Sequence, residues 1–583
     1  LPLEEGEKIQ ILTTRDREDP DALYVLRHSA AHLLAEAARR LYPGTKVAIG
    51  PPIENGFYYD FEFPEPVGED ALEHLEEEIR REIAEGREWK RRDVDRGEAR
   101  RYFEEHGEPY KVELVDTAEG EISIYEQGDF VDLCRGPHLQ NAAPIKAVKL
   151  LSLAGAYWRG DETKPQLTRV YGTAFYDPKD LEAYLHRLEE AKRRDHRRLA
   201  KQLDLVDFSD LAPGMPFWHP RGMILWNVLE DLRRRENARR GYHEVRTPQL
   251  YDSDLWRTSG HWEKFRENMF TLEAEGREYG LKPMNCPGHC VLYGQTAHSY
   301  RDLPLRVAEA GNLHRNELSG TLHGLLRVRH FVQDDAHIYC TPEQVEDEVL
   351  ECLDYAFYLY DLLGLDVRAE LSTRPENRLG TDEEWDRAEG ALAAALERQG
   401  LEYRIGEGEG IFYGPKIDMH MSDSLGRSWQ ISTIQLDFQM PARFALTYQG
   451  DDNAEHTPAM IHRALLGSLE RFVGIYLEHT GGDLPLFLAP EQVRILPVGS
   501  DHRTAAESLG DELRRAGFRA GVDERDETLG KRIRDAELQK IPYVVVWGAR
   551  ESRHSVALRR RGGEQASLSV DAFLDELRGA AKL

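Results

Sequence analysis

His28 and His32 stand four residues apart in the run HSAAH, and on a helix that spacing puts both imidazoles on one face. Further along, VDLCRGPH carries Cys134 and His138 on what reads as a strand entering a Gly-Pro turn. Two helical histidines, a thiol and a third imidazole make four soft ligands, a set that suits tetrahedral zinc. The same four side chains also suit a metal-free hydrolytic pocket in which imidazoles and a thiol position a water. Surface histidines beside a buried thiol are the plain alternative.

A second set is spread over three segments. KPMNCPGHC places Cys286 in an expected Pro- and Gly-flanked turn, QDDAH puts His337 at the end of an expected strand, and PAMIHRALLGSLERF puts His462 at the expected start of a helix. One thiolate and two imidazoles leave a coordination position open, as in a catalytic zinc site. Spacing alone does not select these three from 22 histidines and five cysteines. Between them, GNLHRNELSGTLHGLLRVRHFVQDDAH carries Arg315, Glu317, Arg327 and Arg329 around a Ser-Gly turn, and Arg471 follows small Gly467 in GSLERFVG. An arginine fork suits bidentate contact with phosphate. Neither a GxxxxGK[ST] loop nor a GxGxxG turn after a strand is present, so nucleotide binding would need another fold.

These residues need elements to hold them. ALYVLRHSAAHLLAEAARRLYPG has the apolar spacing of an amphipathic helix ending at Pro-Gly. EDALEHLEEEIRREIAEGREWKRR reads as a second, solvated helix, and LEAYLHRLEEAKRRDHRRLAKQLDL as a single linker helix before DLAPGMPFWHPRG. Alternating segments such as SWQISTIQLDFQM then favour an antiparallel sheet carrying helices, an α+β core. After Pro485, strands and helices alternate as in a small α/β domain with a largely parallel sheet.

With 583 residues the chain is long enough for several domains, and its net charge of −29 argues against simple coating of nucleic acid. From Pro485 onward, however, 17 Lys or Arg face 16 Asp or Glu. An odd cysteine count disfavours a disulfide framework. The longest apolar run, IPYVVVW, is too short to span a bilayer and no apolar leader opens the chain, so no membrane partner and a cytoplasmic location are expected. The first residue is Leu, and the natural start is expected to have been lost.

Taken in order, the motifs resemble those of the class II aminoacyl-tRNA synthetases of the bacterial threonyl type, over nearly the whole chain. GYHEVRTPQL through Pro248 is similar to the first class II motif, HRNELSG with GLLRVRHFVQDDAH to the second, and GSLERFVG to the third. HSAAH with VDLCRGPH is similar to the family's editing module, and KPMNCPGH, FYGPKID and MIHRALLGS to its threonine-specific segments.

The resemblance implies one Zn2+ per subunit on Cys286, His337 and His462, taking the amine and hydroxyl of L-threonine. It further implies Asp335 on that hydroxyl, with Met284, Gln333 and Tyr413 lining the amino-acid pocket and Gln430 and Gln435 nearby. Arg315 and Arg471 would clamp the phosphates of Mg2+-ATP, Glu317 and Phe331 would fix the adenine, Arg327 would belong to the same ATP site, and Lys416 would sit near the carboxylate and phosphate. His261 would assist transfer to the tRNA ribose. Serine keeps the amine and hydroxyl and lacks one methyl, worth only ~1 to 3 kcal/mol, so an editing pocket is implied at His28, His32, Lys111, Asp132, Cys134 and His138, working without a required metal. Anticodon contacts with tRNA(Thr) are implied for Arg525, Asp526, Lys531, Glu551 and Arg560, with Arg532 on phosphate, and a homodimer through Gly241–Pro248.

Two departures accompany the resemblance. Of the family's small leading β-rich domain only PLEEGEKIQILT is expected to remain, and the tail reads DERDET, with Asp526 where the family pattern has asparagine. The expected divisions are a remnant at 1–16, an editing domain at 17–190, a linker helix at 191–207, a class II catalytic domain at 208–483 and an anticodon-binding domain at 484–583. A prolyl or seryl synthetase is the nearest rival, and the Cys286, His337, His462 set argues against both. A synthetase-like RNA-binding regulator would be favoured by loss of Arg315, Glu317 or Arg471, all present; a metallohydrolase built on HSAAH and CRGPH leaves most of the chain unexplained.

Overall fold

The computed structural model describes residues 12–581, so most of the expected remnant at 1–16 lies outside the described residues. The chain divides into two compact units that meet between Glu189 and Glu190.

The first unit is organised around helix Pro20–Leu41. Asp19 caps it by accepting from Asp21 N at 2.9 Å, and Pro20 takes the first helical position, where a missing N–H costs nothing. The helix is buried almost without interruption from Leu26 to Ala38, packed between helix Asp70–Glu85 and an antiparallel sheet. That sheet runs in the order Lys46–Val47, Gly56–Glu62, Gln166–Phe175, Ala147–Tyr157. A second, three-stranded sheet joins Lys90–Val94, Ile122–Gln127 and Phe130–Leu133. The expected second helix is therefore shorter than its charge pattern suggests. Gly86 at φ 69° ends it, and WKRR leaves as the start of the Lys90–Val94 edge strand.

In the second unit an eight-stranded sheet forms the floor of the core. Its order is His243–Glu244, Leu305–His314, His330–Cys340, Ala459–Ser468, Ser428–Asp437, Lys416–Ser422, Val367–Ser372, Tyr403–Gly406, antiparallel except for the pairing at each edge. Helices Val345–Leu363 and Leu469–Thr480 pack on it. Three expectations are corrected here. His462 lies in the strand Ala459–Ser468 rather than at a helix start; the helix begins only at Leu469, after Gly467 turns the chain at φ 67°. This strand is covered on both faces, so AMIHRALL reads as a continuous buried run in which period-two alternation disappears. Cys286 opens helix Cys286–Tyr293 instead of sitting in a turn. The single linker helix is two, Pro178–Arg194 and His196–Gln202, because the Asp195 carboxylate accepts from Arg197 N at 2.8 Å and caps the second.

The tail packs a five-stranded sheet in the order Ala520–Val522, Val493–Pro497, Tyr543–Trp547, Val556–Arg560, Gln565–Leu568. Only its first three strands are parallel. ALRRRGGEQASL closes an antiparallel hairpin, so the largely parallel sheet is half parallel. Ile434 is fully buried in the floor of the core. Ile434→Ala should therefore cost about 2–5 kcal/mol and lower the urea midpoint of the second unit; an unchanged midpoint would contradict its place in the core.

Candidate functional site

In the first unit, a cleft of about 580 Å³ is lined by Tyr24, His28, His32, Lys111, Asp132 and Cys134. Helix Pro20–Leu41 brings His28 and His32 to it, and the strand Phe130–Leu133 delivers Asp132 and, just past its end, Cys134. Cys134 Sγ lies 3.3 Å from His28 Nε2 and 3.2 Å from His138 Nε2. Tyr59 OH donates to Asp132 at 2.6 Å and accepts from Lys111 Nζ at 2.9 Å, while Lys111 also pairs with Asp132. Burial pushes all three histidines down and the Cys134 thiol up to about 12. The cleft thus presents neutral imidazoles and a neutral thiol beside one buried Lys–Asp pair, an arrangement for orienting water and an ester rather than for thiolate attack. Tyr59, which sequence reasoning missed, has no chemical signal beyond the alternation of its strand.

In the second unit the donor atoms of Cys286, His337 and His462 lie within 4.8 Å of one another. The register places His337 opposite His462 on adjacent antiparallel strands, and His337 Nε2 is 3.1 Å from His462 Nδ1. His462 Nε2 donates to the Asp437 carboxylate at 2.9 Å, which leaves Nδ1 as the bare lone pair turned toward His337. Burial holds His337 well below the usual imidazole range and the Cys286 thiol well above the usual thiol range. This buried set of one sulfur and two imidazole nitrogens fits zinc.

The remaining expected residues gather around it. Asp335 accepts from Asn285 Nδ2 at 3.1 Å, and Tyr413 OH donates to Gln435 at 2.9 Å with its ring 5.4 Å from that of His462. His261 Nε2 is 3.1 Å from Met284 Sδ, and burial pushes His261 down to about 4, so it is a neutral base. Gln430 and Lys416 both meet Asp418 rather than standing free.

Beside this pocket lies a cavity of about 330 Å³ lined by Arg315, Glu317, Arg327, Phe331, Gln333, Gln430 and Arg471. Among the described residues, none of the three guanidinium groups Arg315, Arg327 and Arg471 has a carboxylate partner, although most arginines of the chain do. Arg315 lies over the Phe331 ring at 5.0 Å. Arg329 instead holds the loop, donating to Glu317 O at 2.9 Å. Unpaired cations around a half-buried cavity suit a polyphosphate. Sequence reasoning missed Asn285, Asp437 and Asp418; all three sit inside or beside quoted motifs and act by orienting a neighbour.

The tail differs from expectation. Arg532 is buried and donates to the backbone carbonyls of Asp523 and Pro497 at 2.9 and 2.8 Å, so it is structural and does not meet phosphate. Arg525 pairs with Asp523 and Asp535, Arg560 with Glu564 and Glu576, and Lys531 with Glu527, while Glu551 accepts from Gly548 N. Asp526 is exposed. Arg525, Lys531 and Arg560 are thus already engaged in ion pairs.

Comparison with known proteins agrees in order along the chain. Residues 270–480 match the tRNA synthetase class II core domain (G, H, P, S and T), 492–579 an anticodon binding domain, and 122–171 the threonyl and alanyl tRNA synthetase second additional domain. The chain is 50% identical over 579 residues to the threonine–tRNA ligase of Caldanaerobacter subterraneus, covering 99% of this chain and 89% of the relative. It is 50% identical over 584 residues to that of Thermotoga neapolitana, covering 99% and 90%. The crystal structure of the RNA binding domain of threonyl-tRNA synthetase from Cryptosporidium parvum superposes with a TM-score of 0.64 at 46% identity, over 66% of this chain and 98% of that one. No helix among the described residues is long and apolar enough to cross a membrane.

The donor set generates a direct test. Purified protein should retain about one tightly bound zinc per chain, and Cys286→Ala should lose it, as read by metal analysis after dialysis against a chelator. Equal zinc in the variant would remove Cys286 from the site.

Proposed function

The chain belongs to the threonine–tRNA ligases, and we propose how its two units divide the work: the second activates L-threonine with Mg2+-ATP and transfers it to tRNA(Thr), while the first hydrolyses mischarged Ser-tRNA(Thr). The observation that carries the activation reading is the cavity with three unpaired guanidinium groups opening beside the Cys286, His337, His462 set. Arg315, Arg327 and Arg471 take the phosphates while Glu317 and Phe331 address the adenine, so attack of the threonine carboxylate on the α-phosphate is promoted by positioning and charge stabilisation. Gln333 and Asp335 lie two apart on one strand face, which carries recognition from the nucleotide cavity to the threonine hydroxyl. A zinc ion on Cys286, His337 and His462 would supply a Lewis-acid position for the amine and hydroxyl of threonine. His261, neutral at working pH, accepts the proton of the attacking ribose hydroxyl.

The need for the first unit follows from size. A pocket that binds a hydroxyl rejects valine by ~10⁴ or more, yet serine loses only a methyl and enters. In the cleft of the first unit His28 and His32 orient a water toward the seryl ester, with His138 3.2 Å from the Cys134 thiol, and the Lys111–Asp132 pair holds its polar groups. We place the reaction in the cytoplasm, the anticodon contacts on the 484–583 domain, and subunit pairing on Gly241–Pro248, whose strand His243–Glu244 is an exposed sheet edge.

Changing His28 and His32 together to alanine should leave threonine-dependent pyrophosphate exchange within about threefold while Ser-tRNA accumulates. Because burial lowers the pKa of His28, His32 and His138, these bases stay unprotonated as pH falls through the ordinary value of 6.5, so wild-type Ser-tRNA hydrolysis should not drop there. Undiminished editing in the variant would remove the two histidines from the site.

A further inference from the structure

His289, three residues after Cys286 on the same short helix, is fully buried, and none of the roles assigned above uses it. Its Nδ1 lies 2.7 Å from Nδ1 of His337, and its Nε2 lies 3.1 Å from Glu309 Oε2. Glu309 is itself held from three directions. It accepts from Lys282 Nζ at 2.9 Å, from Thr247 N at 3.1 Å and from Thr247 Oγ1 at 2.8 Å. Lys282 also donates to Thr247 Oγ1 at 2.9 Å, and all four residues are buried.

With His337 Nε2 taken as a ligand atom, the hydrogen bonds follow one order. An ionised carboxylate accepts and cannot donate, so the proton between Glu309 and His289 belongs to His289 Nε2. Burial would raise the Glu309 carboxyl, but the bonds from His289, Lys282 and Thr247 hold it down at about 2, so it is ionised. With that proton on Nε2, His289 turns the lone pair of its Nδ1 toward His337. The contact at 2.7 Å must then be filled by the proton of His337 Nδ1. His337 is left with its lone pair on Nε2, the atom that faces His462 Nδ1. On the other side, Asp437 sets His462 in the opposite sense, protonated on Nε2 and bare on Nδ1.

We propose that His289 and Glu309, anchored by Lys282 and Thr247, are positioning residues that fix the tautomer and ring orientation of His337, so that its Nε2 is presented to the metal. This rests on the reading of Cys286, His337 and His462 as zinc ligands and extends it to a second layer of buried residues. The site is then aimed by two independent carboxylates, Glu309 acting through one imidazole and Asp437 acting directly. Neither His289 nor Glu309 touches the bound amino acid in this account; they act through His337.

Three substitutions separate positioning from packing. His289→Asn keeps an acceptor oxygen near the place of Nδ1, opposite the His337 Nδ1 proton. His289→Gln reaches toward Glu309 and leaves that proton unpaired, and His289→Leu removes both contacts. Zinc affinity of the full-length protein, measured by competition with a chromophoric chelator, should fall about 10- to 100-fold in His289→Gln and His289→Leu and be largely restored in His289→Asn. Glu309→Gln, which removes the fixed acceptor, should fall by a similar factor. Thermal unfolding at saturating zinc checks that each variant is folded.

If Cys286→Ala abolishes tight zinc binding while His289→Gln binds as His289→Asn does, the positioning role is overturned and the metal site stands. If Cys286→Ala binds zinc like the wild type, the metal reading itself has failed. Should His289→Leu not fold, the Asn and Gln pair still decides between the two.

Discussion

The second unit depends on one cross-strand register. His337 and His462 face each other on adjacent antiparallel strands, and both are buried. Two imidazoles and a thiol packed this closely gain little from one another and much from a cation. Shifting either strand by one residue would turn its imidazole to the other face and separate the donors. Phe331, Gln333, Asp335 and His337 alternate along one strand, with Phe331 and Gln333 at the arginine-lined cavity and His337 beside His462. An aromatic ring, an amide, a carboxylate and an imidazole are thus laid out as one line of alternate residues.

Two adjacent aspartates show how strictly that line is kept. Asp335 faces the donors and is oriented by Asn285, whereas Asp334 points the other way and accepts from the backbone N–H groups of Leu465, Leu466 and Gly467 at 3.0–3.2 Å. One carboxylate addresses the site and its neighbour fixes the irregular end of the strand Ala459–Ser468, where the chain turns toward Arg471. The first unit solves a different problem with similar residue types. Its imidazoles and thiol also lie within 4.8 Å of one another, but His28, His32 and Cys134 line a cleft that they share with the Lys111–Asp132 pair. Water can enter there, which suits hydrolysis.

Much of this was legible in the residues. Helix Pro20–Leu41, the antiparallel core and the pairing of HSAAH with CRGPH follow from periodicity and turn residues, whereas the Cys286, His337, His462 grouping rests on the family resemblance, since spacing alone does not select it. His462 was misplaced onto a helix because its strand is buried on both faces and carries no alternation. Asp437, Asn285 and His289 gave no signal because they act on other side chains, and such partners are fixed by tertiary contact rather than spacing. Arg532 was misread for the opposite reason: in a basic run it resembles its exposed neighbours, yet its guanidinium is buried against two carbonyls. Charge counted along a chain does not distinguish solvated cations from those that hold a turn.

The central claim is that a site built around a hydroxyl, rather than around shape, chooses the amino acid. Pyrophosphate exchange with ATP measured separately for threonine, serine and valine tests it most directly. The account predicts exchange with threonine and, more weakly, with serine, and a specificity for valine lower than for threonine by ~10⁴ or more. Exchange with valine at a rate comparable to threonine would contradict it.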